Sequence, residues 1–195
     1  MVVGAGETII PFLNRALPLS LALPLVSFSA GMGSTILKLL RDAELVRVGG
    51  AAPFLSSGFD ALKGKTLLLY FSASWCPPCR RFTPVLKEFY EAVATKHPVE
   101  VVWVSSDDSQ MEWGEYGKIM AAYYAVPFEN RDLRTRLKQE VGVCASKEQA
   151  SVGIQERKRG IPTLAVVKPD GTLLTIEGDE EITRSGIAVL HKWDL

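Results

Sequence analysis

The sequence has few of the side chains from which metal sites and disulfide frameworks are built. It contains 3 cysteines and 2 histidines in 195 residues. Cys76 and Cys79 form a C-x-x-C pair, and Cys144, His97 and His191 add neither a second such pair nor an H-x-x-x-H pattern. Because a structural zinc ion usually takes four ligands, the sequence argues against a zinc site. A single C-x-x-C pair with one additional cysteine is too few for a disulfide framework and indicates a reducing compartment.

The sequence also has no excess of charge of either sign. Lys and Arg number 22, Asp and Glu number 22, and 47% of the residues are hydrophobic. Nucleic-acid-binding domains usually carry a basic surface, so this balance argues against a nucleic-acid partner. The length and composition predict one globular domain with an appendage.

The appendage is an apolar N-terminal extension or leader, residues 1–31. Ala16–Gly31 has no charged residue, but it is shorter than the about 20 apolar residues of a membrane span, and prolines interrupt it. A secretory signal fits less well, because the residues before Ile9 include Glu7 and no Lys or Arg. A mitochondrial-type leader and a working start at Met32 fit equally well. We therefore expect a cytoplasmic protein, or a mitochondrial one if the leader is used.

The central feature of the sequence is a strand–turn–helix pattern. Thr66–Phe71 is an apolar run typical of a strand buried on both faces, and the cysteine motif follows after three small residues. A helix is predicted from the cysteines to about Thr95. Its apolar face consists of Phe82, Val85, Leu86, Phe89, Tyr90 and Val93.

This pattern predicts a reactive thiol at Cys76. A thiol at a helix N-terminus faces unpaired N–H groups, which favour the thiolate and lower the pKa. Pro77 and Pro78 lack N–H groups, so Cys79 would supply the nearest donors, and Arg80 adds positive charge. Cys79 could close a disulfide with Cys76 or donate its S–H to the thiolate. A purely structural bridge around so small a loop would stabilise little, so the pattern favours redox catalysis.

Several motifs resemble the thioredoxin superfamily, and within it the tryparedoxin and nucleoredoxin branch. They are FSASWCPPCR at Phe71–Arg80, FTP at Phe82–Pro84, EFY at Glu88–Tyr90, AVPF at Ala125–Phe128 and GIPTL at Gly160–Leu164. The resemblance covers about Ile36 to Trp193. It implies a thioredoxin-like three-layer α/β/α sandwich with a mixed central sheet over residues 32–195.

The resemblance also implies a function, namely dithiol–disulfide exchange through a redox-active Cys76–Cys79 pair without a metal or organic cofactor. Trypanothione would be the dithiol donor, and peroxiredoxin-type peroxidases and other oxidised proteins would be the acceptors, which implies peroxide detoxification by a monomer. An alternative is a nucleoredoxin-like, redox-sensitive binding protein. A disulfide isomerase or oxidant is a further enzyme class that the sequence leaves open.

The family pattern implies further site residues around the pair. Trp75, Pro77, Pro78 and Arg80 would support the cysteines. A cis bond between Ile161 and Pro162 would face the dithiol and present the backbone of Ile161 to a substrate. We expect these residues to line the active site.

Two carboxylates follow the next predicted strand, Val99–Ser105. Asp107 and Asp108 would lie at its carboxyl end, where open α/β sheets place their sites, and one of them could assist proton transfer to Cys79. Alternatively, they begin a helix over Met111–Tyr116 as its cap and first-turn acids. Thioredoxins proper have a buried aspartate six residues before the first cysteine, where this chain has Tyr70.

The chain departs from the family pattern in three places. Ser105–Asp108 keeps the acidity of the usual loop but lacks the tryptophan that opens it in the family. Ala121–Tyr124 replaces the usual residues of one groove wall, and residues 144–159 form an insertion. We expect the insertion to be a long loop, either a partner-recognition flap or a loose segment. Cys144 within it is either a third redox thiol or an ordinary one, and little nearby would lower its pKa.

Four further elements are predicted from local patterns. Helices are expected over Ser34–Val48, over Arg131–Val141 with a basic outer face, and over Glu180–Trp193. Lys168–Gly171 predicts a turn from which Thr172–Glu177 pairs back as a strand.

Overall fold

The computed structural model describes residue 1, residues 31–49 and residues 55–195. Apart from its two end residues, the predicted leader lies outside these ranges. Within them, no helix is long and apolar enough to cross a membrane.

The described helices and strands alternate through most of the chain. In order they are α1 (Gly31–Arg41), β1 (Glu44–Arg47), β2 (Leu55–Ser57), α2 (Gly58–Leu62), β3 (Thr66–Ser72), α3 (Pro77–Val93), β4 (Val99–Ser105), α4 (Gln110–Lys118), β5 (Tyr124–Ala125), α5 (Arg131–Val141), α6 (Gln149–Val152), β6 (Thr163–Val167), β7 (Leu173–Thr175), α7 (Gly178–Ser185) and α8 (Val189–Lys192). Short 3-10 helices at Ser146–Glu148 and Gly186–Ala188 precede α6 and α8.

The strands form one mixed sheet in the order β2-β1-β5-β4-β3-β6-β7. β3 runs parallel to β4, and β4 runs parallel to β5, whereas the other neighbours are antiparallel. Ser72 pairs with Ser105, and Phe71 pairs with Thr163. The carboxyl ends of β3 and β4 and the start of β6 therefore meet at one edge of the sheet.

Helices cover both faces of the sheet, so the predicted three-layer α/β/α fold is confirmed. Leu68 and Tyr70 of β3 pack with α3, α4, α7 and α8, whereas Leu67, Leu69 and Phe71 pack with α1, α2 and α5. All five side chains are fully buried. Burying a large apolar side chain contributes about 1.5–3 kcal/mol, so β3 anchors both layers.

The predicted helix over Ser34–Val48 is wrong in its second half. α1 ends at Arg41, and β1 takes up Glu44–Arg47 as a strand between β2 and β5. Leu45 packs on one side of the sheet, and Val46 packs on the other. Adjacent buried residues that pack on opposite layers fit a strand, because successive side chains of a strand point to opposite faces of the sheet.

The predicted C-terminal helix over Glu180–Trp193 is interrupted. α7 ends at Ser185, and Gly186 has φ 53° and ψ −137°, outside the helical region. Ile187, which follows this break, is 61% exposed. The preceding hairpin is also shorter than expected, because β7 ends at Thr175.

Candidate active site

Cys76 is the N-cap of α3, at the junction that the sequence predicts. Its sulfur is joined to that of Cys79 in a disulfide, with the two Cα atoms 5.2 Å apart. The Cys79 N–H donates to Cys76 Sγ at 3.3 Å, while Pro77 and Pro78 occupy the first turn without N–H groups. Cys79 is fully buried, and Cys76 is 4% exposed. Cys76 is therefore the sulfur that a substrate can reach.

The segment before β6 faces this disulfide. The Ile161–Pro162 peptide bond is cis, as the resemblance implied. Cys76 Sγ lies 3.7 Å from the carbonyl oxygen of Ile161, and the Thr163 hydroxyl donates to Gly160 O at 2.7 Å. The register of β6 against β3 sets this position, since Thr163 lies opposite Phe71.

Asp107 supports the turn that precedes Cys76. It is 5% exposed, and its carboxylate accepts from the Ser74 N–H at 2.7 Å and from the Ser105 hydroxyl at 2.6 Å. Beside it, the Trp75 indole N–H donates to Ser106 O at 3.2 Å. The loop after β4 therefore orients the residues immediately before Cys76.

Asp108 has a different environment from Asp107. It is exposed and forms an ion pair with Lys147 of the insertion. The next residue, Ser109, is the N-cap of α4 and forms a capping box with Glu112, so neither aspartate caps this helix. Neither carboxylate contacts a cysteine sulfur in the described part of the chain, and a proton relay from either one remains a prediction.

Buried hydroxyl groups lie beneath Cys79. The hydroxyls of Tyr70 and Thr83 bond to Cys79 O at 3.2 and 3.0 Å. Thr83 Oγ1 also lies 2.9 Å from the Tyr70 hydroxyl and 2.6 Å from that of Tyr116. Burial raises the pKa of Tyr70 well above its usual value, and burial also raises the pKa of Tyr116. These groups stay protonated at neutral pH and hold the first turn of α3.

The insertion, residues 144–159, is a folded segment, which corrects the expectation of a long loop. It contains the 3-10 helix Ser146–Glu148 and the short helix α6. Cys144, Val152 and Ile154 form a small apolar cluster. The carboxylate of Glu148 accepts from Lys138 Nζ at 2.7 Å, from the Ala145 N–H at 2.9 Å and from the Ser106 hydroxyl. These contacts hold the insertion against α5 and against the loop after β4.

The predicted basic outer face of α5 is only partly exposed, and the insertion covers part of it. Leu133, Leu137 and Val141 are buried, and Arg134 and Lys138 are also only 7% and 3% exposed. Arg134 lies over the Phe128 ring and donates to Phe128 O at 2.8 Å, while Lys138 pairs with the insertion. Burial lowers the pKa of Lys138, and the nearby carboxylate opposes this shift. Two of the four cations of α5, Arg134 and Lys138, are therefore packed inside the protein and do not form an exposed basic surface.

Most of the segment Ala121–Tyr124 lies in the core, and only Ala122 is exposed. Tyr123 is fully buried and packs against Tyr90 with ring centroids 5.1 Å apart. Tyr124 is 4% exposed.

The predicted apolar face of α3 is wrong at one position. Val85 was predicted to face the core and is 36% exposed.

The free thiol of Cys144 is fully buried. Burial raises its pKa, and Glu148 raises it further. A buried thiol with a raised pKa reacts slowly, which favours an ordinary structural role.

The structure brings two basic residues of the insertion to the disulfide. Lys147 Nζ lies 3.8 Å from the centre of the Trp75 ring, and Arg157 lies beside the residues before Ile161. Sequence reasoning assigned neither a role. The basic run Arg157–Arg159 before the GIPTL motif was the available signal, but the contact between Lys147 and Trp75 joins residues that are distant in sequence.

Comparisons with known proteins agree with this geometry. A family model described as thioredoxin-like matches residues 64–173. Tryparedoxin of Trypanosoma brucei brucei is 40% identical over 126 residues, which cover 62% of this chain and 76% of that protein. Probable nucleoredoxin 1 of Arabidopsis thaliana is 39% identical over 119 residues, which cover 61% of this chain and 18% of that protein. The chain thus spans most of a tryparedoxin and a small part of a nucleoredoxin.

Solved structures show the same similarity. Tryparedoxin II of Crithidia fasciculata aligns with a TM-score of 0.61 and 33% identity, covering 81% of this chain and 97% of that one. A structure of tryparedoxin II complexed with glutathionylspermidine aligns with a TM-score of 0.59 and 32% identity, covering 77% and 92% of the two chains.

Proposed function

Because the chain belongs to the thioredoxin-like family, in the branch of tryparedoxins and nucleoredoxins, we propose that it reduces protein disulfides through Cys76 and Cys79. The disulfide at the N-terminus of α3, opposite the cis Ile161–Pro162 bond, carries this proposal. In the reduced protein, the helix N-terminus and the Cys79 N–H would favour the Cys76 thiolate.

The reaction transfers one electron pair in two exchanges. The Cys76 thiolate attacks one sulfur of the substrate disulfide, a mixed disulfide forms, and the other substrate sulfur leaves as a thiolate that takes up a proton. Cys79 then loses its proton and attacks Cys76 Sγ, which releases the second substrate thiol and forms the Cys76–Cys79 disulfide. Asp107 or Asp108 would assist the loss of this proton. The sulfurs carry both electrons, so the exchange needs no metal or organic cofactor.

A dithiol donor would restore the reduced pair by the reverse exchange. Similarity to tryparedoxins supports trypanothione as this donor, since a related tryparedoxin II structure is a complex with glutathionylspermidine. Peroxiredoxin-type peroxidases would be among the acceptors. Peroxide detoxification by a monomer would follow. The proposed location is the cytoplasm, or mitochondria if residues 1–31 act as a leader.

Cysteine variants test the proposal directly. Cys76→Ser should abolish the reduction of insulin or of a coupled peroxidase, whereas Cys79→Ser should accumulate mixed disulfides that survive non-reducing electrophoresis. Cys144→Ser is the matched control, because this buried thiol lies outside the exchange, and its turnover should equal that of the wild type. Sustained turnover by Cys76→Ser would refute the proposal.

A second candidate is a redox-sensitive regulatory protein of the nucleoredoxin type, whose pair controls partner docking. The contact of the insertion with Trp75 favours it, because a partner could sense the state of the disulfide there. Turnover with trypanothione, glutathione or thioredoxin reductase separates the candidates. Fast multiple turnover with any donor supports the reductase, while one stoichiometric exchange supports the regulator.

A further inference from the structure

A groove of about 360 Å³ runs beside the candidate catalytic disulfide. One wall consists of Trp75, Cys76 and Pro77, and the opposite wall comes largely from the insertion. The insertion therefore borders the surface that a substrate must cross to reach Cys76. Among the described residues that line this groove, none is acidic.

Arg157 is held at the insertion wall of this groove. Its Nη1 donates to Cys144 O at 3.2 Å and to the Ser146 hydroxyl at 2.7 Å. The guanidinium also lies next to Gly160, in the segment that faces Cys76. A side chain at Gly160 would place its Cβ atom 3.6 Å from Nη1. An arginine has five N–H donors in a planar fork, and only Nη1 is engaged by the described residues. The remaining edge of the fork is available to a carboxylate.

The charge of Arg157 also lacks a nearby counter-ion. Lys147 is paired with Asp108, and Arg159 is paired with Asp179 at 3.0 Å. In the described part of the chain, no carboxylate lies within 4.0 Å of Arg157. Arg80 and Arg81 are exposed just beyond Cys79. A substrate that approaches Cys76 therefore meets net positive charge.

We propose that Arg157 binds a carboxylate next to the disulfide of the substrate, so that the chain prefers acidic disulfides. This inference rests on the proposed disulfide exchange and identifies a specificity-determining residue for it. The carboxylate would belong either to an acidic segment of a protein partner or to a small peptide disulfide such as glutathione disulfide. The exchange itself is unchanged, since Arg157 contributes charge and orientation but no electrons or protons.

Matched peptide disulfides test the preference. Three peptides differ only in the residue next to the disulfide, which is Glu, Gln or Lys, and glutathione disulfide is the small-molecule arm. Rates of oxidation of the full-length reduced protein are followed by stopped-flow tryptophan fluorescence. The Glu peptide should react about two- to fivefold faster than the Gln peptide, as expected for one partly exposed ion pair. The ratio should fall at high salt.

Variants then assign the preference to Arg157. Arg157→Gln should bring the Glu-to-Gln ratio to about one. Arg157→Lys keeps the charge but loses the fork, and should retain part of the ratio. Lys96→Gln removes an equal charge beyond the far end of α3 and should keep the full ratio.

The outcomes separate this inference from the proposed function. A ratio that persists in Arg157→Gln, or a wild-type ratio of one, overturns the role of Arg157 while disulfide exchange stands. Failure of the wild type to reduce any peptide or glutathione disulfide overturns the exchange and the inference together. A loss confined to glutathione disulfide in Arg157→Gln supports the small peptide as the source of the carboxylate, and a loss of the peptide ratio supports a protein segment.

Discussion

Replacing Glu148 with alanine should destabilise the protein by about 3 kcal/mol. The side chains of Lys138 and Glu148 are 4% and 17% exposed, and their ion pair measures 2.7 Å. Removing one partner of a buried pair costs about 3–5 kcal/mol, because the remaining charge is left without compensation. The lower end applies here because solvent reaches Glu148. The variant also loses the acceptor of the Ala145 N–H and of the Ser106 hydroxyl.

Urea unfolding measures this cost, provided that the dependence on denaturant is unchanged. Glu148→Gln keeps an acceptor oxygen and should lose less than the alanine variant. The double variant Lys138→Met with Glu148→Leu should recover most of the loss, since both charges are removed. As a control, Glu115→Ala breaks an exposed pair and should cost about 0–1 kcal/mol. A loss below about 1 kcal/mol in Glu148→Ala would show that the insertion does not depend on this pair.

Four further predictions concern the cysteines and the groups around them. If Asp107 relays a proton, Asp107→Asn should slow the resolution of the mixed disulfide by about 100-fold and flatten its pH profile, while Asp108→Asn should have little effect; equal rates in stopped-flow experiments would exclude both relays. Tyr70→Phe should cost about 1–2 kcal/mol in urea unfolding, because two hydrogen bonds are lost. Because burial raises the pKa of Tyr70, the folded chain retains a proton that the unfolded chain releases above about pH 10. Stability should therefore fall as the pH rises past 10, and Tyr70→Phe should fall less steeply; parallel curves would contradict this. In the reduced protein, iodoacetamide should label Cys76 well before Cys144, as peptide mapping by mass spectrometry would show; the reverse order would make Cys144 the more reactive thiol.

Local sequence patterns predicted the structure correctly where a residue's neighbours in sequence are also its neighbours in space. The helix Arg131–Val141 was predicted with both boundaries, since its apolar spacing is regular and Gly142 ends it with φ 78°. The strand Val99–Ser105 was predicted equally well, because its continuous apolar run fits a central strand. The position of Cys76 followed from the same kind of local order.

Local patterns failed where distant residues decide the structure. The polar sequence of the insertion resembles a loop, and it folds because Glu148 reaches Ser106 and Lys138, which are 42 and 10 residues away. The same contacts bury Lys138, although the helical spacing of α5 predicts that this side chain faces solvent. The four residues of β1 are too few for their sequence to distinguish a strand from a continued helix. Their pairing with β5 makes them a strand.

The insertion therefore combines two roles that separate variants can resolve. Glu148 holds it against the sheet edge, and Lys147 then lies over Trp75 while Arg157 faces the groove. Loss of Glu148 should disturb stability and charge preference together, because it releases the whole segment. Loss of Arg157 should remove the preference with a smaller change in stability, because the ion pair of Glu148 remains. If Arg157→Gln destabilised the chain as much as Glu148→Ala, the guanidinium would be a structural clamp on Cys144 and Ser146, and substrate selection would have to come from another residue.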